Sequence, residues 1–324
     1  MSRILLAAPH VGEIGWELMS WQGRVRRMYR RGGYDRVVVL GGPGKAAFYD
    51  GMPLDYRAID LSHLPGEAYE DRRYIGHSKE IVAADELKRL LEPLVRNVVA
   101  ESRADGDTVD VLWPEYAGKP CSCDPEHQAF IRYERKISEL PSEPWVVLVQ
   151  RTRAHGAERN WPAESWVRLA RLLADRGVHT TIYPCEAEAA ITMLSGCDLA
   201  VGQSTGGLHL AALCGCPTLV WSVQDYLMWQ WEITNRQRYE TWWNPLGSPV
   251  VFHEAASLPT PEAAADQIMG ALQAIGRRTG SSVQRALFRG KWTLRSTLRR
   301  SIIEPRRYRR WPWPVQKFVR YELA

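Results

Sequence analysis

Three segments of the chain concentrate residue types that bind anions or move protons. The first, Val201–Cys214 (VGQSTGGLHLAALC), passes from an apolar strand end through Gly202-Gln203-Ser204-Thr205-Gly206-Gly207 into a helix with His209 in its first turn. A helix start at a strand's carboxyl end offers unpaired N–H groups and a positive dipole end. Glycines admit an anion to the backbone, and Ser204 and Thr205 add hydroxyls, so the chemistry would be phosphate binding. A plain strand–turn–helix with Ser/Thr capping fits the same residues. The second segment, Gln150–Trp161 (QRTRAHGAERNW), carries Arg151, Arg153 and Arg159 with His155 among them. Guanidiniums gathered in one loop suit bidentate recognition of phosphate or carboxylate, the alternative being solvated loop charge. The third, Pro9–Glu17, holds His10, Glu13 and Glu17 as candidate bases. Its Gly12 and Gly15 lack the G-x-G-x-x-G spacing of a dinucleotide site. Glu17 fits equally well as an acid that favours a helix N-terminus.

The elements that must hold these loops alternate between β and α patterns. Arg3–Ala8, Arg36–Leu40, Thr108–Trp113, Trp145–Gln150, Val178–Tyr183, Asp198–Val201 and Thr218–Trp221 read as strands. Helical patterns cover Glu17–Arg31, Ile81–Glu101, Ala163–Arg176, Glu186–Leu194, Gly206–Leu213 and Thr260–Ile275, the last with Thr260 as N-cap and Pro261 at the first helical position. Such alternation predicts an α/β chain with parallel sheets. The punctuation Pro141-Ser142-Glu143-Pro144 divides it into residues 1–140, 141–276 and a tail, 277–324.

Hydrophobic content of 45% and charged content of 24% are those of a soluble globular protein. No run of about 18 apolar residues is present to span a membrane, and the N-terminus lacks the pattern of a signal peptide. Six cysteines without secretory context are expected to be reduced thiols in the cytoplasm. The net charge of +5 is uneven: the tail holds 14 Lys/Arg against two acids, leaving residues 1–276 near −7. A basic tail on an acidic body predicts an anionic partner.

The pieces ERNWPAESWVRLARLLADRG and CDLAVGQSTGGLHLAALCGCPTLVWS resemble the C-terminal half of glycosyltransferase family 9, the heptosyltransferase-like enzymes. The opening RILLAAPHVGEIGWEL is similar to that family's first strand and loop. The resemblance covers roughly a quarter of the chain. It implies a GT-B fold, two Rossmann-like domains facing a cleft, with residues 1–140 on the acceptor side and 141–276 binding the nucleotide sugar. It implies Glu13 as the general base and Arg159, Thr205, Gly206 and His209 on the donor diphosphate; Arg151, Ser204 and Gly207 stand beside them. No cofactor or metal is expected. Three departures accompany it: Ser204 replaces an acid, Glu13 replaces an aspartate, and the stretch from Tyr183 to Asp198 is short.

Other signals carry less. Gly41-Gly42-Pro43-Gly44-Lys45-Ala46 fails as a P-loop, because Val39 and Ala46 stand where glycine and Ser/Thr belong, and reads as a turn or acceptor loop. Cys121 and Cys123 with His127 lack a second ligand pair for zinc, and Cys214 and Cys216 read as packing residues. The stretch Trp221–Trp243 is rich in Trp and Tyr. It offers either stacking surfaces for a nucleobase or sugar, with Trp221 and Gln224 nearest the strand end, or a domain-interface core. His10, Trp16 and Glu17 are further candidates for acceptor contacts. In the tail, Arg306–Pro314 suits the headgroups of an anionic membrane in preference to RNA. The expected function is an inverting glycosyltransferase acting on a glycan or glycolipid, peripheral to the cytoplasmic face of a membrane. The alternatives are a nucleotide-sugar epimerase of the same architecture and a non-catalytic GT-B-like adaptor on membrane or RNA.

Overall fold

The computed structural model describes residues 1–61, 64, 84–114, 127–152, 157–222 and 234–276. Arg153, His155, Cys121, Cys123, Gln224, residues 223–233 of the Trp221–Trp243 stretch and the whole tail lie outside these residues.

The first half holds β1 (Arg3–Ala7), a helical run made of α1 (Ile14–Trp16), a π segment (Glu17–Trp21) and α2 (Gln22–Gly32), then β2 (Arg36–Gly41), β3 (Leu54–Ala58), α3 (Ala84–Ala104) and β4 (Thr108–Leu112). Its four strands are parallel in the order β3-β2-β1-β4. The second half contains β5 (Trp145–Val149), α4 (Ala163–Ala174), β6 (His179–Ile182), α5 (Ala187–Gly196), β7 (Leu199–Gln203) and α6 (Gly206–Leu213). It continues with β8 (Thr218–Ser222), α7 (Asn235–Gln237), a second π segment (Arg238–Trp242), β9 (Val250–Glu254) and α8 (Pro261–Ile275). Its sheet is also parallel, in the order β6-β5-β7-β8-β9.

Period-two burial fixes how each sheet is covered. Ile4, Leu6, Val38 and Leu40 pack on Val95 and Val98 of α3. Leu5, Ala7, Val37 and Val39 turn the other way, into a core shared with Val147, Val149, Ala200 and Val220 of the second sheet. The opposite face of that sheet, with Val146, Leu148, Val201 and Leu219, is covered by α4 and α8. One apolar core therefore joins the halves, and residues between 127 and 143 cross it. The Ala129 amide donates to the Gly23 carbonyl at 2.8 Å, the Tyr133 amide to Leu213 at 3.1 Å, and the Tyr133 hydroxyl to Phe48 at 2.6 Å. Arg135 grips Asp50 of the first half at 2.6 Å and Glu188 of the second at 2.5 Å.

Local signals place the helix ends. Gly33 ends α2 at φ 62°, in the left-handed region open to glycine. Thr260 caps α8 by accepting from the Ala263 amide at 3.3 Å. Among the described residues no helix is long and apolar enough to cross a membrane.

Candidate active site

The turn between β7 and α6 forms at a crowded place. A Cβ on Gly202 would overlap the Val149 carbonyl of β5, and one on Gly207 would come to 2.6 Å from Val149 Cγ1. Glycine lets the turn lie against the sheet. Thr205 occupies the N-cap of α6 in an extended conformation (φ −147°, ψ 164°), yet its hydroxyl caps nothing. Thr205 Oγ1 is buried and has no hydrogen-bond partner. A helix satisfies neither of its first two amides internally, here those of Gly206 and Gly207. The positive end of α6 is thus left without the side-chain acceptor an N-cap threonine ordinarily supplies.

Ser204 does not face this end alone: its Oγ lies 3.0 Å from the Tyr239 hydroxyl. Burial pushes that phenol far above its ordinary range, so it is neutral. His209 is enclosed rather than open to a ligand. Its ring centroid is 4.3 Å from that of Trp243 and 5.4 Å from that of Tyr239. Burial, and then the charge of Arg238, lower its pKa to about 3 and keep it neutral. The imidazole expected on the diphosphate is thus enclosed by aromatic rings and uncharged.

The loop after β5 divides its two described arginines between different tasks. Arg151 is buried, and its guanidinium donates to Asn160 Oδ1 within the same loop. It braces the loop from within. Arg159 ends a short 3-10 turn, Ala157–Arg159, and is exposed. Gln203 Nε2 donates to the Arg159 carbonyl, which docks this loop beside the α6 turn.

Glu13 precedes α1, and its carbonyl accepts from the Trp16 and Glu17 amides at 3.0 and 3.2 Å. Its side chain and that of His10 are partly exposed, whereas Trp16 packs its ring on the shared core. Glu17 differs from expectation: at 2% exposure it accepts from Lys45 Nζ at 2.8 Å and from the Tyr49 hydroxyl at 3.0 Å. A carboxylate so engaged anchors the turn after β2 to the first helical run. It also accounts for Lys45 in the glycine-rich turn after β2.

Trp221 lies inside the second half. It is 2% exposed, packed with Trp161 and Trp166 at 5.6 and 6.1 Å on the α4/α8 face, and its Nε1 donates to Gln267 at 2.8 Å. Tyr239 and Trp243 belong to the shared core, which favours the interface alternative for the described part of that stretch. The sequence reading did not find Arg238. It is buried 4.5 Å over the Trp243 ring and donates to Asn235 at 2.9 Å. The capping box Thr234-x-x-Gln237 that starts its helix was the available signal. Cys214 and Cys216 are buried, as packing residues should be. Among the described residues no cluster of three or more His, Cys, Asp or Glu is placed to hold a metal ion.

The loops of the two halves meet here. The start of α1 lies on the start of α6, where a Cβ on Gly206 would reach 3.1 Å from the Gly15 amide nitrogen. Neither a family profile nor a curated protein matches the chain by sequence. Among solved structures the chain is similar to the E. coli ADP-heptose lipopolysaccharide heptosyltransferase II, with a TM-score of 0.50 at 14% identity over 84% of this chain and 99% of that one. It also matches a family 9 glycosyltransferase of Veillonella parvula, with a TM-score of 0.49 at 9% identity over 84% and 96% of the two chains. The first likeness, with the two parallel sheets, establishes the two-domain GT-B fold.

Proposed function

We propose that this chain is an inverting glycosyltransferase that moves a sugar from a nucleotide-diphosphate donor to a hydroxyl of a glycan or glycolipid. The observation that carries the reading is the uncapped start of α6, set against the loop that bears Glu13. Solved structures of the same fold include a heptosyltransferase with bound ADP-2-deoxy-2-fluoro heptose, a nucleotide sugar. In this reading the Gly206 and Gly207 amides, Thr205 Oγ1 and Arg159 receive the diphosphate. Glu13 takes the proton of the acceptor hydroxyl as its oxygen attacks the anomeric carbon. The bond to the diphosphate breaks, and the helix end and guanidinium stabilise the departing charge. The protein supplies that positive charge itself, so we propose transfer without a metal ion. We also propose that the tail, by its Arg/Trp composition, rests on an anionic membrane that carries the acceptor.

A thermal-shift panel of nucleoside diphosphates and their sugars tests the site, because ligand stabilisation grows with concentration over Kd. At least one nucleotide should raise the midpoint. With that donor, Glu13→Gln should lower kcat by roughly 10²–10⁴-fold and leave nucleotide affinity nearly unchanged. Silence across the panel would overturn the transferase reading. Conversion of the nucleotide sugar to its epimer without acceptor would favour an epimerase, and binding without turnover an adaptor.

A further inference from the structure

His209 stands in the first turn of α6, yet both ring nitrogens lack a hydrogen-bond partner and the residue is 6% exposed. A diphosphate ligand would aim an N–H at the anion. This ring meets the other half of the molecule instead. A Cβ built on Gly15 would lie 2.6 Å from His209 Nδ1, closer than real Cβ atoms come, and 3.0 Å from Cε1. The contact is reciprocal, since a Cβ on Gly206 would overlap Ile14 Cγ2. Neither side has slack. Behind the ring, Tyr239 and Trp243 meet edge to face at 5.2 Å, and Trp243 is stacked under Arg238. The imidazole therefore cannot retreat without unpacking the shared core.

We infer that His209 is a positioning residue, a wedge on which Gly15 rests, and that it sets how the Glu13 loop stands over the start of α6. This inference rests on the transferase reading for its catalytic consequence, although the contact itself does not. The segment 12–15, which runs into α1, comes from the first half and α6 from the second, so the fit fixes the two halves at the point where base and leaving group must be in register. Transfer is sensitive to displacement there, whereas nucleotide binding uses groups of the second half alone. The wedge acts through shape and not charge, because the enclosed ring is neutral. Gly15 is required for its missing side chain, whatever its backbone angles.

The test is a double-mutant cycle with Gly15→Ala, His209→Ala and the pair, read by kcat, donor KM, diphosphate affinity by calorimetry and the thermal midpoint. Gly15→Ala should lower kcat about tenfold or more while diphosphate Kd changes less than about threefold. Adding His209→Ala opens room for the new methyl, so the double variant should turn over about tenfold faster than the product of the single effects. Its midpoint should likewise exceed the additive value. Multiplying effects with additive midpoints would overturn the inference. So would His209→Ala weakening diphosphate binding with kcat intact, the mark of a direct ligand. If Gly15→Ala does not fold, a folded double variant supports the wedge and an unfolded one overturns it. If the wild type binds nucleotide without transferring sugar, the functional reading fails while midpoint coupling still decides the contact.

Discussion

Replacing Lys45 by methionine isolates a buried ion pair inside the first half. Lys45 Nζ and Glu17 Oε2 are 2.8 Å apart with side chains 7% and 2% exposed. At an effective dielectric of about 20, charges at this distance attract by roughly 6 kcal/mol before desolvation is counted. Truncating one partner leaves the Glu17 carboxylate buried with the Tyr49 hydroxyl at 3.0 Å as a neutral donor. Breaking such a pair typically costs about 3–5 kcal/mol. The Tyr49 bond argues for the lower end, about 3 kcal/mol, or a midpoint lower by roughly 5 °C. Glu17→Gln on top of Lys45→Met removes the stranded charge and should recover most of that loss, because a matched neutral pair avoids the desolvation of both ions. The assay is reversible denaturant unfolding with thermal midpoints for the two single variants and the double. A Lys45→Met midpoint within about 2 °C of wild type, or a double variant no better than Lys45→Met alone, would refute the anchoring role.

Three further outcomes concern the second half, the junction and the tail. Trp221→Ala should destabilise the second half by about 3–5 kcal/mol by opening a cavity against Trp161 and Trp166; a selective loss of nucleotide affinity at full stability would restore the stacking reading. The Arg135 guanidinium holds the Glu188 carboxyl below its ordinary value. Stability from that pair is therefore present above the unfolded carboxyl pKa of 4.5 and lost as pH falls through the depressed folded value. Arg135→Met should flatten this part of the acid limb in pH-dependent unfolding, and an unaltered limb would show that the pair contributes nothing. Flotation with anionic vesicles should recover the full chain and not a chain ending at residue 276; equal recovery would place the membrane contact outside the tail.

Local sequence carried the helices and most strands, because their signals are local. The bounds of α6 follow from Gly206-Gly207 at its start and the Leu213–Gly215 exit, and Thr260-Pro261 marks the start of α8 without ambiguity. The strand β3, LDYRA, escaped because an edge strand with half-exposed polar residues lacks an apolar run. The face of Trp221 was left open: it alternates with Val220, and period two assigns it, like Leu219, to the α4/α8 face. That signal was available. The roles of Glu17, Arg151 and His209 were hidden in a different way. Glu17 meets Lys45 across 28 residues, and His209 meets Gly15 across the boundary between the halves. Such pairings follow from tertiary packing, about which periodicity is silent.

The two π segments have a consequence for chain length. A π turn is an α-helix that has accepted one surplus residue without breaking. Both such insertions, at Glu17–Trp21 and Arg238–Trp242, adjoin the junction of the halves. Excising a single residue from the first would return it to the 3.6-residue repeat and rotate everything on one side by about 100°. Either Glu17 would leave Lys45, or Gly15 would leave His209. A homologue one residue shorter here cannot keep both contacts, so a gap of one at this point in an alignment marks a differently built junction and not a neutral loss.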